Sequence, residues 1–267
     1  MNATDSPRPV LARVARWIVP AWLLLPSSAL LPPLDLTGLV ALFALALSDS
    51  AQRRGMPFVV VAYIALIVSR AGIDARQRLR EASAMVVALL VFLAGGAALN
   101  EHVVKPYFAS PRPDIVEMAD RGVLPISAQR FYALGTKGDR RRYLNDVLSE
   151  SRRVELRLSA SVRAHWIEET GYSFPSGHST ASMLVATFFL CVGSVTLRGR
   201  RAWALLPLLP WAFSVCVARP VLRVHRPIDI TLGAIQGTLF GMCAFLLVWM
   251  LARPRASPTP EGELSVE

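Results

Sequence analysis

Residues 174–193 read FPSGHSTASMLVATFFLCVG and join two kinds of sequence within one short stretch. From Ala181 to Gly193 there is no charge and little polarity, which reads as a helix buried in a core or a membrane. Ahead of it, Pro175, Ser176, Gly177 and His178 suit a loop that turns into a helix and leaves free N–H groups at its start. His178 is one of only four histidines in the chain. Its plain alternative is a solvated residue at a capped helix start.

Outward from this stretch, the composition decides the solvent. Of 267 residues, 53% are hydrophobic, too many for an ordinary soluble domain. The apolar residues are also blocked: 81–104, 179–197, 202–217 and 228–251 are nearly free of charge over most of their length. The first and last of these can cross about 30 Å of hydrocarbon at roughly 1.5 Å per residue. Residues 17–31 and 57–69 are shorter and read as spans that need interfacial residues, the first interrupted by Pro20 and Pro26.

Residues 36–48 are equally apolar, and charge settles their place. With six crossings and a cytoplasmic start, Arg8/Arg13/Arg16, Arg70/Arg76/Arg78/Arg80, Arg198/Arg200/Arg201 and Arg253/Arg255 all fall on one side. A seventh crossing would separate the amino terminus from the basic loop at 70–80. Residues 36–48 are therefore expected as an interfacial or re-entrant helix on the outer face. Residues 17–31, with Ser27-Ser28-Ala29 as a cleavage site, also admit a signal-peptide reading. Cys191, Cys216 and Cys243 all lie in expected spans, which argues against a disulfide framework.

The expected organisation is a cytoplasmic start at 1–16, a membrane domain at 17–251 and a cytoplasmic tail at 252–267. The fold class is all-α, a polytopic membrane protein with an external helical subdomain at 105–174 between the third and fourth spans. Leu144, Val147, Leu148, Val154, Leu156 and Leu158 fit one or two short amphipathic helices there. The tail is rich in proline and acidic at its end, and reads as disordered.

Three clusters then stand at the outer ends of spans, on one side. The first is KPYFASPRP at 105–113, where prolines stiffen the chain between Lys105 and Arg112. Snorkelling to the headgroups is the simpler reading of either cation alone. The second is PSGH at 175–178, a cradle for an anion at a helix start. The third is RPVLRVHRPID at 219–229, where Pro227 suits the first helical position and Asp229 can reach back toward His225. Taken together, two histidines, one beside a carboxylate, with Lys105, Arg112, Arg219 and a helix amino terminus match phosphoryl transfer. A metal site fits poorly, because His178, His225 and Asp229 lack further ligands and the cations would repel the ion. No metal or other cofactor is expected.

These residues resemble the type 2 phosphatidic acid phosphatase superfamily, whose signatures are K-x6-RP, PSGH and SR-x5-H-x3-D. They stand here as Lys105 to Arg112-Pro113, Pro175 to His178, and Arg219 to His225 to Asp229, in order. The stretches RFYALG and SVRAHWIEETGYSFPSGH, with the long outer loop, are similar to a bacterial branch acting on phosphatidylglycerol phosphate and undecaprenyl diphosphate. The resemblance implies that His225 is the nucleophile forming a phosphohistidine, that Asp229 orients it, and that His178 protonates the leaving oxygen and then activates water. Lys105, Arg112, Ser176, Gly177 and Arg219 would hold the phosphate. Ala218 departs from the third signature, where the family has serine, and Ser214 is one candidate to replace that hydroxyl. His102 and His165 match no signature position and read as interfacial or loop residues.

The implied function is a metal-independent lipid phosphatase of the bacterial inner membrane, its site on the periplasmic face and its partners the bilayer and a lipid phosphate. Phosphatidic acid and its lyso form are further candidate substrates. No nucleic acid or obligate protein partner is expected. The rivals are a lipid A-type phosphotransferase, whose product would carry the phosphate, and a transporter or scaffold with an unused site. Keeping unused charges in a membrane is costly, which disfavours the last. A soluble vanadate-dependent haloperoxidase shares the signatures but lacks the spans.

Overall fold

A computed structural model describes residues 6–52, 54–150 and 156–252. The expected disorder at 253–267 and the position of Val154 lie outside them. The described chain is helical: α1 Arg8–Leu24, α2 Leu39–Ser50, α3 Met56–Val68, α4 Ala75–Leu99, α5 Lys105–Phe108, α6 Pro113–Asp120, α7 Ala128–Tyr132, α8 Lys137–Glu150, α9 Ala160–Glu168, α10 Gly177–Thr196, α11 Leu208–Val221 and α12 Pro227–Leu251. Among the described residues the extended pairing is a single isolated bridge, Leu36 to Leu158.

Five helical stretches are long and apolar enough to cross a membrane: Arg8–Leu30, Ala75–Asp120, Gly177–Thr196, Gly199–Val221 and Pro227–Leu251. The sixth expected span, α3, has 13 residues, about 20 Å of helix. It falls short alone, and its length makes it depend on flanking residues to cross. The first helix begins at Arg8, well inside the expected 1–16 segment, and continues through Pro20 into a 3-10 turn at Leu25–Leu30. Val14, Ile18 and Leu25 are buried in the bundle, and Trp22 Nε1 donates to Thr238 Oγ1 at 3.2 Å. The segment that could have been a signal peptide is thus packed into the main core.

At the centre stands α10, buried from Ser182 to Gly193. Apolar character alone cannot hold it there, because lipid tails are as apolar as its neighbours; close packing has to. The sequence of α12 provides that closeness. Gly233, Gly237 and Gly241 recur every fourth residue, and a Cβ at Gly233 or Gly241 would come within 2.7 Å of Ser176 O or 2.6 Å of Leu184 O. At Gly237 a Cβ would overlap the Thr180 backbone. Polar side chains add to the join: Gln236 exchanges hydrogen bonds with Asn100 at 2.8 and 3.0 Å and accepts one from Thr180 Oγ1 at 3.1 Å.

A second core lies beyond the α11–α12 turn. Leu36, Ala41 and Ala44 from the α2 region meet Ile115, Met118, Phe131, Leu144, Val162 and Trp166 of the polar segment, together with Ala218, Leu222 and Val224. Serine caps start two of its short helices: Ser127 Oγ accepts from Arg130 N and Ser159 Oγ from Val162 N. The segment 105–174 thus folds as short helices around a core that it shares with the α2 region and the end of α11. At the far end of the bundle, Arg80 donates to Ala252 O at 2.7 Å and Arg70 pairs with Glu81 at 2.6 Å. That end carries the basic loop 70–80, and the histidine clusters lie at the other.

Candidate active site

The three sequence clusters meet where the two cores join. Ser176 caps α10, its Oγ accepting from Ser179 N at 3.4 Å, and its own N–H donates to Asp229 O at 3.0 Å. That bond ties the PSGH turn to the first turn of α12. Arg226 caps α12, Pro227 occupies its first position as expected, and Asp229 Oδ2 accepts from Arg226 N at 2.9 Å. The same oxygen lies 3.6 Å from His225 Nδ1. This is beyond hydrogen-bond length, so the expected carboxylate–imidazole contact is a near approach.

Arg112 arrives from the first cluster through a loop in which Ala109 has φ 43°. It is buried, donating Nε to Gly171 O at 2.8 Å and Nη1 to Val224 O at 3.3 Å, with Nη1 also 3.4 Å from His225 Nε2. Tyr132, from RFYALG, accepts from Arg112 N at 3.0 Å. Arg219 is fully buried at the end of α11, its Nη1 3.0 Å from His165 Nε2.

Two guanidinium groups buried together need an anion, and Glu169 supplies it. Its Oε2 lies 2.6 Å from Arg112 Nη2, and its Oε1 lies 3.3 Å from Arg219 Nη2 and 3.9 Å from His178 Nε2. Burial alone would raise its pKa, but Arg112 and then Arg219 outweigh it and hold the carboxyl well below its ordinary range. Glu169 is therefore ionised. His165 moves the other way: burial, then Arg219, lowers it to about 3, so it is a neutral acceptor for the guanidinium. Burial, then Arg112 and Arg219, also lowers His225 well below the ordinary histidine value, which keeps it neutral.

Lys105 stands apart from this knot. Its Nζ is 3.8 Å from Glu101, and it lines a cavity of about 140 Å³ with Gly177, Asn100 and Phe92. A Cβ at Gly177 would meet open space, so the glycine leaves room at the cavity wall.

The structure thus brings His178, His225, Asp229, Arg112, Arg219 and Ser176 to one place, with Lys105 and Gly177 at a neighbouring wall. Sequence reasoning missed Glu169, His165, Ser48 and Gln52. From sequence His165 reads as an interfacial or loop residue; in the fold it is buried against Arg219. The one available signal was charge, since converging buried arginines require a carboxylate, and EETG stands just ahead of the PSGH turn. A hydroxyl beside Arg219 comes from Ser48, at 2.5 Å, a residue outside the three sequence clusters. Ala218 faces the smaller core. Among the described residues, no group of three or more His, Cys, Asp or Glu is placed to hold a metal ion.

Known proteins resemble the chain over much of its length. The profile of the PAP2 superfamily matches residues 82–253. Phosphatidylglycerophosphatase B of Escherichia coli K12 is 26% identical over 187 residues, covering 70% of this chain and 69% of that protein. The protein of the same name in Haemophilus influenzae is 28% identical over 146 residues, 53% of this chain and 56% of its own. Lipid A 4'-phosphatase of Bacteroides thetaiotaomicron is 31% identical over 90 residues, 34% and 37% of the two chains.

Proposed function

The chain belongs to the PAP2 superfamily of phosphatases, and on that premise we propose that it removes the terminal phosphate of phosphatidylglycerol phosphate, undecaprenyl diphosphate or both. The observation that carries this reading is Glu169: its carboxylate oxygens sit among Arg112, Arg219 and His178 as two oxygens of a phosphate would. His225 Nε2 attacks phosphorus, forming the P–N bond as the bond to the leaving oxygen breaks. His178 gives that oxygen its proton. Water then attacks the phosphohistidine, loses a proton to His178, and phosphate departs with His225 restored. Arg112 and Arg219 neutralise the charge that grows on the equatorial oxygens. Lys105, Ser176 and Gly177 complete the phosphate cradle, and Asp229 steadies the imidazolium. Because His225 is held neutral, its activity limb on the acid side should lie below about pH 6.5.

The names of the two kinds of relative support lipid phosphates as the substrate class, and the Bacteroides relative adds lipid A phosphates to the panel. We place the protein in the bacterial inner membrane, the site facing outward. In this reading no metal takes part. The test is phosphate release from phosphatidylglycerol phosphate, undecaprenyl diphosphate, a lipid A phosphate and p-nitrophenyl phosphate, with and without EDTA. Turnover of the lipids should exceed that of the soluble ester, survive EDTA and vanish in His225→Ala together with an acid-labile phosphoenzyme. Better turnover of the soluble ester would overturn the lipid reading, and rescue by Mg²⁺ after EDTA the metal-free mechanism.

A further inference from the structure

An apolar helix that ends in polar residues raises a question of its own. The α2 sequence, LVALFALALSDS, is followed by Ala51 and Gln52, and none of these belongs to a superfamily signature. Ser48 is fully buried and accepts from Arg219 Nη1 at 2.5 Å. Gln52 Nε2 lies 2.6 Å from His178 Nε2. One short segment thus touches both the buried phosphate-side arginine and the histidine read as acid and base.

The segment is held to do so. Ser50 Oγ accepts from Trp211 Nε1 of α11 at 2.9 Å and donates to Leu47 O at 2.6 Å. Gln52 N donates to Asp49 O at 3.1 Å, and Gln52 O accepts from Met56 N at 2.9 Å. The turn closes so tightly that a Cβ at Gly55 would lie 2.5 Å from Ser50 Cα, which restricts that place to glycine.

Each contact has a separate consequence. Arg219 Nη1 is shared between Ser48 and His165, which leaves Nη2 aimed at the Glu169 carboxylate. The Gln52 amide meets the His178 nitrogen that faces that same carboxylate at 3.9 Å. We infer that α2 and the turn after it are a functional arm of the active site, in which Ser48 positions Arg219 for the phosphate and Gln52 positions His178 for proton exchange with the leaving oxygen. The serine missing at position 218 is thereby replaced from a different helix.

This inference rests on the phosphatase reading, and its test separates the two. Kinetics of the purified chain are compared for phosphatidylglycerol phosphate, whose alkoxide must be protonated to leave, and p-nitrophenyl phosphate, whose phenolate leaves unaided. Gln52→Leu keeps the volume and removes the amide; it should lower kcat on the lipid about tenfold more than on the soluble ester, part of the roughly 10²–10⁴ that a general acid contributes. Ser48→Ala should lower kcat/KM for both substrates alike and weaken vanadate inhibition, each by about threefold to tenfold, and Ser48→Thr should restore both. Melting of each variant in detergent checks that it is folded. If the parent turns over neither substrate, both readings fall. If the parent is active and Gln52→Leu lowers both substrates equally, or Ser48→Ala leaves kcat/KM and vanadate inhibition unchanged, the functional arm is refuted and the phosphatase stands.

Discussion

The bundle and the small outer core are built by different means and contribute different things to the site. In the bundle, long helices approach to backbone contact along Gly233, Gly237 and Gly241, and their ends carry His178, Arg219 and Asp229. In the outer core, helices of 5 to 14 residues pack around Phe131 and Trp166. It contributes Glu169, His165, Tyr132 and the Gly171 carbonyl, each of which bonds to Arg112 or Arg219. The bundle presents the groups that read as reactive, and the outer core holds them in place. That division is open to direct attack.

The largest effect should come from the bundle. In Gly237→Val a branched side chain would drive into the Thr180 backbone, and neither helix can yield without moving Ser176 and Asp229 apart. Overpacking of well-packed sites costs about 1–3 kcal/mol, and with backbone as the obstacle the upper end or beyond is expected. No folded protein should be recoverable by size exclusion in mild detergent. A variant that melts like the parent would mean the glycines do not set the α10–α12 spacing.

How much of this was readable follows the same division. The clusters at 105–112, 175–178 and 219–229, whose side chains the fold brings near one another, were legible as clusters because each is contiguous and sits where a charge-free run begins or ends. Five of the expected spans were legible as apolar blocks, with boundaries blurred where helix continues past the apolar run, as from Arg8 to Trp17. Glu169, His165, Ser48 and Gln52 were not legible as site residues, because, apart from His178 near Glu169, their partners lie between 50 and 171 residues away in sequence. Only tertiary packing joins them. The glycine stripe was there to be read in PIDITLGAIQGTLFG, but its meaning depends on which helix faces it.

A smaller effect should follow from the outer core. Trp166 is fully buried and its Nε1 donates to Leu222 O at 2.9 Å. That carbonyl opens the turn to His225, in which Arg223 has φ 58° and is fixed by Glu117 at 2.8 Å and Leu34 O at 3.0 Å. Trp166→Phe retains most of the volume but leaves the carbonyl unsatisfied, a cost of about 1–3 kcal/mol. Activity should fall about tenfold while helicity by circular dichroism stays that of the parent. If helicity collapses as well, the two cores are one cooperative unit and the comparison drawn between them is wrong.

The smallest effect expected is a gain. An incoming phosphate-like anion must displace the Glu169 carboxylate from Arg112 and Arg219, contacts of 2.6 and 3.3 Å that are inaccessible to bulk water on the arginine side. Glu169→Gln removes the competing charge but keeps an oxygen that can accept from either guanidinium, so the relief is partial. Vanadate should bind about fivefold more tightly, close to 1 kcal/mol by the usual conversion. Without ligand the variant should melt lower than the parent, because two buried cations have lost their counter-charge, and vanadate should recover more of its stability than it adds to the parent. Unchanged or weaker vanadate binding would mean that the carboxylate and the anion do not share a place, and that the outer core holds the arginines for some purpose other than receiving phosphate.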